Sequence, residues 1–403
     1  MSGTRRKAGQ LRGQVEGYRA WLAGRGYTPG SVRNMLKDLG QVGLWLSGEG
    51  LEAGQLDEQR MVAYLTGRRE SGRRRVPGPR AMVPLLSYLR EAGVAAEQLP
   101  VLSPLGVLLG RYRSWMVQER GLAPGTVLRY ENTARRFLRE QASAGDRFAP
   151  AGDTLTGADI NAFLLRECAR VSAGSAKGRV AELRSVLRFL YVHGVTRLRL
   201  GTAVPPVGGW RFAGLPATMT AADVQVLLDG CDRRTPVGVR DFAIMMLVAR
   251  LGLRSIEVAR LQLGDVDWRA GELVVRGKAG RLDRLPLPVE VGEAVVDYLS
   301  GRRSREGVGA GHVFLTCKAP WGPIRADLIG DVVERACRRA GLARVGPHRL
   351  RHCLAGELLR QGAGLVVIGQ VLRQQDLGTT ALYAKVDLGS LRQVAQLWPG
   401  AAR

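Results

Sequence analysis

Carboxylates are what this sequence lacks. Against 60 Lys and Arg stand only 36 Asp and Glu, which leaves a formal charge of +24 and a sequence pI near 11.0. That deficit excludes a neutral or acidic surface and creates a field that draws polyanions, nucleic acid first among them. A codon bias toward arginine explains Arg over Lys, but not the shortfall of acids. Cysteine pairing is also missing. Cys168, Cys231, Cys317, Cys337 and Cys353 contain no C-x-x-C pair, so an odd, scattered set reads as reduced thiols rather than a disulfide framework. No apolar run approaches the ~20 residues needed to cross a bilayer. The start, "MSGTRRKAGQLRGQ", carries basic residues without the apolar core of a signal peptide. Two nearby histidines, His348 and His352, without a full set of Cys or carboxylate partners make a poor site, so no metal is expected. These absences lead to the expectation of a soluble cytoplasmic protein with no membrane partner.

What is present suits a folded chain. Its 403 residues exceed the comfortable size of one hydrophobic core, so two or three domains are expected, and a hydrophobic fraction of 45% argues against wholesale disorder. The first two hundred residues hold a diverged internal repeat. "YRAWLAGRGYTPGSV" (Tyr18 to Val32) returns as "YRSWMVQERGLAPGTV" (Tyr112 to Val127), and "LDEQRMVAYL" (Leu56 to Leu65) as "LTGADINAFL" (Leu155 to Leu164). "LLSYLREAGV" (Leu85 to Val94) returns as "VLRFLYVHGV" (Val186 to Val195). Each copy reads as a helix, a Gly-x-x-Pro-Gly turn, and a second helix N-capped at Ser31 or Thr126. Apolar residues then recur at helical spacing, as in Met35, Leu39, Val42 and Leu46. Each copy is therefore expected to be a bundle of four or five helices.

"GTAVPPVGGWRFAGLPATMT" follows, with the Pro and Gly density of an interdomain linker. Beyond it the pattern is helical from about Thr220 to Leu263. "GELVVRGKAGRLDRLPLP" then reads as strand, turn and strand, and helices resume from Val289. The expected fold class is mainly α with a small antiparallel β-sheet. The expected segments are an N-terminal helical domain (1–100), a second helical domain (101–203), a linker (204–217) and a C-terminal domain with its tail (218–403).

Four segments of that last domain hold candidate chemistry. "RLGLRSIEVARL" puts Arg254 and Glu257 three residues apart on one helical face. "VVRGKAGRLDR" puts Lys278 at a hairpin tip, "GPHRLRHCLAGELL" groups His348, Arg351 and His352 at helical spacing, and "QQDLGTTALY" ends at Tyr383. Singly, each has a plain reading. Arg254 and Glu257 suit a surface pair, Lys278 a solvated edge, His348 a helix cap, and Tyr383 a rim aromatic.

The order Arg-x-x-Glu, hairpin Lys, His-x-x-Arg-His and Gly-Thr-Thr-x-x-Tyr resembles the tyrosine recombinase (phage integrase) family. "GLRSIEVARL" is similar to its first arginine box, "HRLRH" to its second, and "VLRQQDLGTTALY" to its nucleophile box; the resemblance runs from about Leu105 to Tyr383. It implies a helical core-binding domain at 101–203, a catalytic domain at 218–403, and a site-specific DNA recombinase or integrase of a bacterial mobile element. It implies no cofactor. Arg254 and Arg351 would hold the non-bridging oxygens of a phosphodiester with charged bidentate donors. Lys278 would protonate the departing 5′ oxygen, and His348 would accept the tyrosine proton or bond a phosphate oxygen. Tyr383 would become a 3′-phosphotyrosine. Glu257 and His352 would support the cluster.

One position departs from the family. Where it carries His or Trp in a Leu-Gly-His triplet, this chain has Leu372, Arg373 and Gln374. Gln374 can donate a hydrogen bond to phosphate but carries no charge, which predicts a slower enzyme. Double-stranded DNA is the expected partner. Candidate contacts are Arg129, Lys177, Arg179 and Arg184 on the second helical copy, and Arg73, Arg74 and Arg75 in the basic loop "RRESGRRRVPGPR". The first copy is expected to bind outlying DNA or to pair subunits. The resemblance further implies a homo-oligomer, dimeric on one site and tetrameric in a synapse, and raises sister recombinases as partners. The tail after Tyr383, with Leu388, Leu391, Val394, Ala395 and Trp398 on one side, docks in cis or on a neighbour. Two alternatives stay open: a DNA-relaxing enzyme like the type IB topoisomerases, and a catalytically weak DNA-binding accessory subunit.

Overall fold

The computed structural model describes residues 8–72, 76–95, 103–143, 155–208, 219–277, 280–301 and 311–374. It divides into two compact units, one made of Met1–Glu97 with Gly214–Arg403, the other of Gln98–Ala213.

The two repeat copies form the same four-helix order. The first runs Val15–Gly24, Pro29–Gly48, Glu58–Glu70 and Pro79–Glu91. The second runs Pro104–Gln118, Pro124–Ser143, Gly157–Ala169 and Ala173–Val192. Repetition extends to the core geometry. Tyr18 and Tyr88 sit with ring centroids 5.1 Å apart, and their sequence counterparts Tyr112 and Phe189 are also 5.1 Å apart. The third helix of each copy is capped alike, by Asp57 accepting from the Arg60 N–H and by Thr156 accepting from the Asp159 N–H. The second helices start earlier than Ser31 and Thr126 suggest. Thr28 is the N-cap of the first, with Pro29 at the next position, and the second begins at Pro124. Proline fits the first helical position because its missing N–H would have no partner there.

The glycine of the repeated turn is left-handed in both copies, with φ of 80° at Gly26 and 57° at Gly121. Within the first unit this corner meets the C-terminal part of the chain. The Trp321 N–H donates to the Arg25 carbonyl at 2.9 Å, and a Cβ on Gly26 would lie 2.1 Å from the Trp321 ring. No Cβ could be placed there without moving the indole.

The C-terminal part is built around the helix Pro236–Leu251. Ala243, Ile244, Met245, Leu247 and Val248 are all buried, so this helix is apolar around its whole circumference. Helices Val289–Ser300, Ala326–Arg339 and Pro347–Arg360 pack against it. The sheet is the expected small antiparallel one, in order β1 (Val266–Asp267), β2 (Glu272–Arg276) and β3 (Leu282–Pro286). Leu273 and Val275 alternate into the core. Arg276 pairs with Leu282, and the Gly277 N–H closes the turn on the Arg281 carbonyl at 2.7 Å. Finally, the short helix Leu365–Val371 seats Ile368 and Leu372 against Ala355 of Pro347–Arg360.

Candidate active site

Two backbone corners organise the site. The first is Gly252, which ends the central helix in the left-handed conformation at φ 57° and turns the chain into Arg254. A Cβ on Gly252 would lie 2.7 Å from Leu372 Cδ2, so the position admits only glycine on grounds of both space and backbone. The second corner ends the helix Leu365–Val371. Here the Arg373 N–H donates to the Gln370 carbonyl (2.9 Å) and the Gln374 N–H to the Gly369 carbonyl (2.8 Å). Those paired bonds make a Schellman ending, which leaves the last carbonyls of the helix pointing outward as acceptors.

Both recombinase-box arginines attach to these corners. Arg351, 3% exposed, donates through Nη1 to the Gly252 carbonyl and through Nη2 to the Leu372 carbonyl. Arg254 donates through Nη2 to the Arg373 carbonyl at 3.0 Å and through Nη1 to Glu257 Oε1 at 2.6 Å. Residues separated by about a hundred positions in sequence are thereby joined in one cluster. Glu257, also 3% exposed, accepts the Arg254 backbone N–H at 2.8 Å and Arg373 Nη2 at 2.9 Å on its other oxygen. Burial raises its pKa, but the Arg254 N–H and the two guanidiniums pull harder the other way and hold the carboxyl below the usual glutamate range. The surface-pair reading of Arg254 and Glu257 is therefore overturned: the carboxylate is buried under two cations.

His348 lies in the first turn of Pro347–Arg360, which is N-capped by Gly346 with no side-chain cap bond. The cap reading of His348 thus gives way, and its imidazole stands exposed one turn before Arg351. Partial desolvation, then Arg351 and Arg254, lower its pKa, so at neutral pH it is an uncharged acceptor. His352, half-buried, is lowered by desolvation first and then by His348, Arg349 and Arg351. Gln374 follows the Schellman corner and is half-buried. Lys278 and Tyr383, with the tail after it, lie outside the described residues, as do Arg73, Arg74 and Arg75.

Sequence reasoning left one member of the cluster without a role. Arg373, 6% exposed, reaches Glu257, the Gly252 carbonyl (3.2 Å) and the Val371 carbonyl (3.1 Å). Its only signal in the sequence is a cation where the resembled triplet has glycine.

The candidate DNA contacts of the second helical copy divide. Arg179 binds the Thr133 hydroxyl (2.8 Å) and Glu182 (2.7 Å), and Arg184 donates to the Val204 carbonyl (2.8 Å). Arg129 also meets Glu182, at 2.8 Å, but keeps 59% of its side chain exposed. Lys177 is exposed. Glu182 itself is 1% exposed, so Arg179 has a structural task as counterion to a buried carboxylate.

Comparison with known proteins places this geometry. Residues 217–389 match the family model described as "Phage integrase family". The chain is 37% identical to the putative integrase/recombinase y4rA of Sinorhizobium fredii over 95% of this chain and 93% of that protein. It is 31% identical to the tyrosine recombinase XerD of Mycobacterium tuberculosis, over 74% of this chain and 97% of that one. The fold is shared with the XerH site-specific recombinase bound to a palindromic difH substrate (TM-score 0.55, 18% identity, 73% of this chain and 96% of that one). It is shared too with a lambda integrase dimer bound to a COC′ core site (TM-score 0.51, 17% identity, 75% and 85%). With a relative matching across nearly its whole length and two arginine boxes meeting at one cluster, the chain belongs to the phage integrase family, the tyrosine recombinases.

Proposed function

We propose that this chain is a site-specific DNA recombinase of a bacterial mobile element, cutting and rejoining duplex through a phosphotyrosine formed on Tyr383. The observation that carries the reading is the anchoring of Arg254 and Arg351 to the consecutive carbonyls of Arg373 and Leu372. The segment leading to Tyr383 starts at the pair of guanidiniums. From Arg373 only ten residues remain to the phenol, a tether of at most ~35 Å, which reaches the pair in its own subunit or in an adjacent one.

In this reading Arg254 and Arg351 bind the two non-bridging oxygens and stabilise the charge that builds on the five-coordinate phosphorus. His348, uncharged at neutral pH, accepts the phenolic proton, and Lys278 protonates the departing 5′ oxygen. The phenolic oxygen bonds to phosphorus as the 5′ oxygen leaves, and the reverse attack by a partner strand restores the diester. The bond energy is conserved, so no nucleotide is consumed. Gln374 donates to a phosphate oxygen without adding charge.

The second helical domain and the catalytic domain both bind the DNA, with Lys177 and Arg129 on phosphates. The first helical copy, with Arg73, Arg74 and Arg75, contacts outlying duplex or another subunit. Dimers on a core site and tetramers in the synapse follow the assemblies in which lambda integrase is seen on DNA. Full-length kinship to integrases and recombinases speaks against the DNA-relaxing alternative.

The test is covalent capture. Incubating the full chain with nicked suicide duplexes taken from the DNA flanking its own gene should give a protein–DNA adduct, and Tyr383→Phe should abolish it. Failure of the wild-type chain to form an adduct, or its persistence in Tyr383→Phe, would overturn the reading.

A further inference from the structure

Arg373 stands at a place where a side chain is unwelcome. At φ 53° it is the one positive-φ residue other than glycine among those described, at the Schellman position that ordinarily takes glycine. Its guanidinium is nonetheless tied down at three points. One bond goes to the carboxylate that holds Arg254, one to the Gly252 carbonyl that also receives Arg351, and one to its own helix at Val371. Its backbone carbonyl receives Arg254 directly. Its side chain thus touches supports of both arginines, Glu257 and the Gly252 carbonyl.

The charges make a role for it. Glu257 is nearly sealed from solvent, and Arg254 bonds it at 2.6 Å. Were Arg254 its sole counterion, the carboxylate would neutralise one of the two cations needed at the phosphate. Arg373 occupies the other carboxylate oxygen. The three guanidiniums of the cluster outnumber the one buried carboxylate they share the site with, which leaves net positive charge for the two non-bridging oxygens, at a site whose neighbouring Gln374 carries none.

We propose that Arg373 is a positioning residue for strand cleavage: it neutralises Glu257 and fixes Gly252, so that Arg254 and Arg351 present undivided charge to the phosphate. The role rests on the recombinase reading above. It is separate from that reading's test, because it concerns the rate of an adduct that the wild-type chain must first form.

The decisive variant is Arg373→Gly, which suits the left-handed backbone and removes the guanidinium together with its aliphatic stem. In single-turnover cleavage of a suicide duplex by the full chain, the rate should fall at least tenfold. The Kd for the same duplex should move less than threefold, since the phosphate contacts are retained but less strongly charged. Arg373→Lys should recover part of the rate. The positioning role has its own signature in Glu257→Gln, which removes the charge that Arg373 balances: in that background the penalty for Arg373→Gly should shrink to less than threefold. Cleavage by Arg373→Gly within twofold of wild type would overturn the proposal. So would a loss of equal size with and without Glu257→Gln, which would mark the side chain as packing. A wild-type chain that forms no adduct on any flanking DNA would instead remove the recombinase reading itself, and the role with it.

Discussion

Replacing Glu257 by glutamine tests whether the cluster is held by charge or only by shape. The carboxylate side chain is 1% exposed and its three donors are the Arg254 N–H, Arg254 Nη1 and Arg373 Nη2, at 2.8, 2.6 and 2.9 Å. Glutamine keeps the volume and one accepting oxygen, but its amide turns a donor toward a guanidinium donor. Arg373, with 3% of its side chain exposed, is then left as a buried cation without a counterion. Removing one partner of such a pair costs roughly 3–5 kcal/mol. The Arg254 share is discounted because a third of that side chain (34%) is exposed and screened by solvent. The expected loss is therefore ~3 kcal/mol at pH 7, or ~6–12 °C in Tm for a domain of this size. The sign with pH also follows. Because the folded carboxyl titrates below the unfolded one, its stabilisation is fully present above the ordinary glutamate pKa of 4.5 and is lost as pH falls through the folded value. Urea unfolding of both chains should show a constant gap between pH 6 and 8 that narrows in acid. A gap below ~0.5 kcal/mol at pH 7, or one unchanged in acid, would refute the reasoning.

Four further outcomes are expected. Gly252→Ala forces a Cβ to within 2.7 Å of Leu372 and strains a left-handed backbone; it should cost ~2 kcal/mol in unfolding experiments and lower the cleavage rate together with it, through the Arg351 contact. The acid limb of the single-turnover cleavage rate should lie below pH 6.5, because partial desolvation and two arginines lower the His348 pKa from that ordinary value; a limb above 6.5 would rule it out as the base. Arg179→Ala should destabilise the second helical unit by ~2 kcal/mol, after allowing for a side chain 24% exposed, and leave the salt dependence of DNA binding unchanged. Lys177→Ala should do the reverse, reducing the log–log salt slope by about one with little effect on unfolding.

Much of the fold was legible because it is written in local terms. The repeat announced itself through matched aromatics, and Tyr18 and Tyr112 do occupy matching places in their bundles. The hairpin and the helix after Thr220 followed from turn residues and helical patterning. The two arginine boxes were legible through their resemblance to the family's motifs. That they meet was not, since Arg254 and Arg373 lie 119 residues apart and touch only through tertiary structure. Two buried contacts were missed for a common reason. Taken singly, Arg254 with Glu257 suited a surface pair, and Arg179 was read only as a candidate DNA contact, because sequence gives spacing along one helix and not what is stacked over it. Glu257 and Glu182 are both buried by neighbours distant in the chain. Arg373 was the hardest to see: its importance depends on a backbone dihedral, and no pattern of residue types reports one.

The twin glycine corners have a use beyond turning the chain. Gly121 has nothing within 4 Å of where a Cβ would stand, whereas its counterpart Gly26 is roofed by an indole. The same repeated bend thus serves as a socket in one copy and stands open, among the described residues, in the other. Selection can therefore alter the vacant bend, even to a bulky residue able to adopt its dihedrals, without disturbing the socket. A protein with paired modules can in this way vary one of them for new targets while the other keeps its seat on the catalytic body.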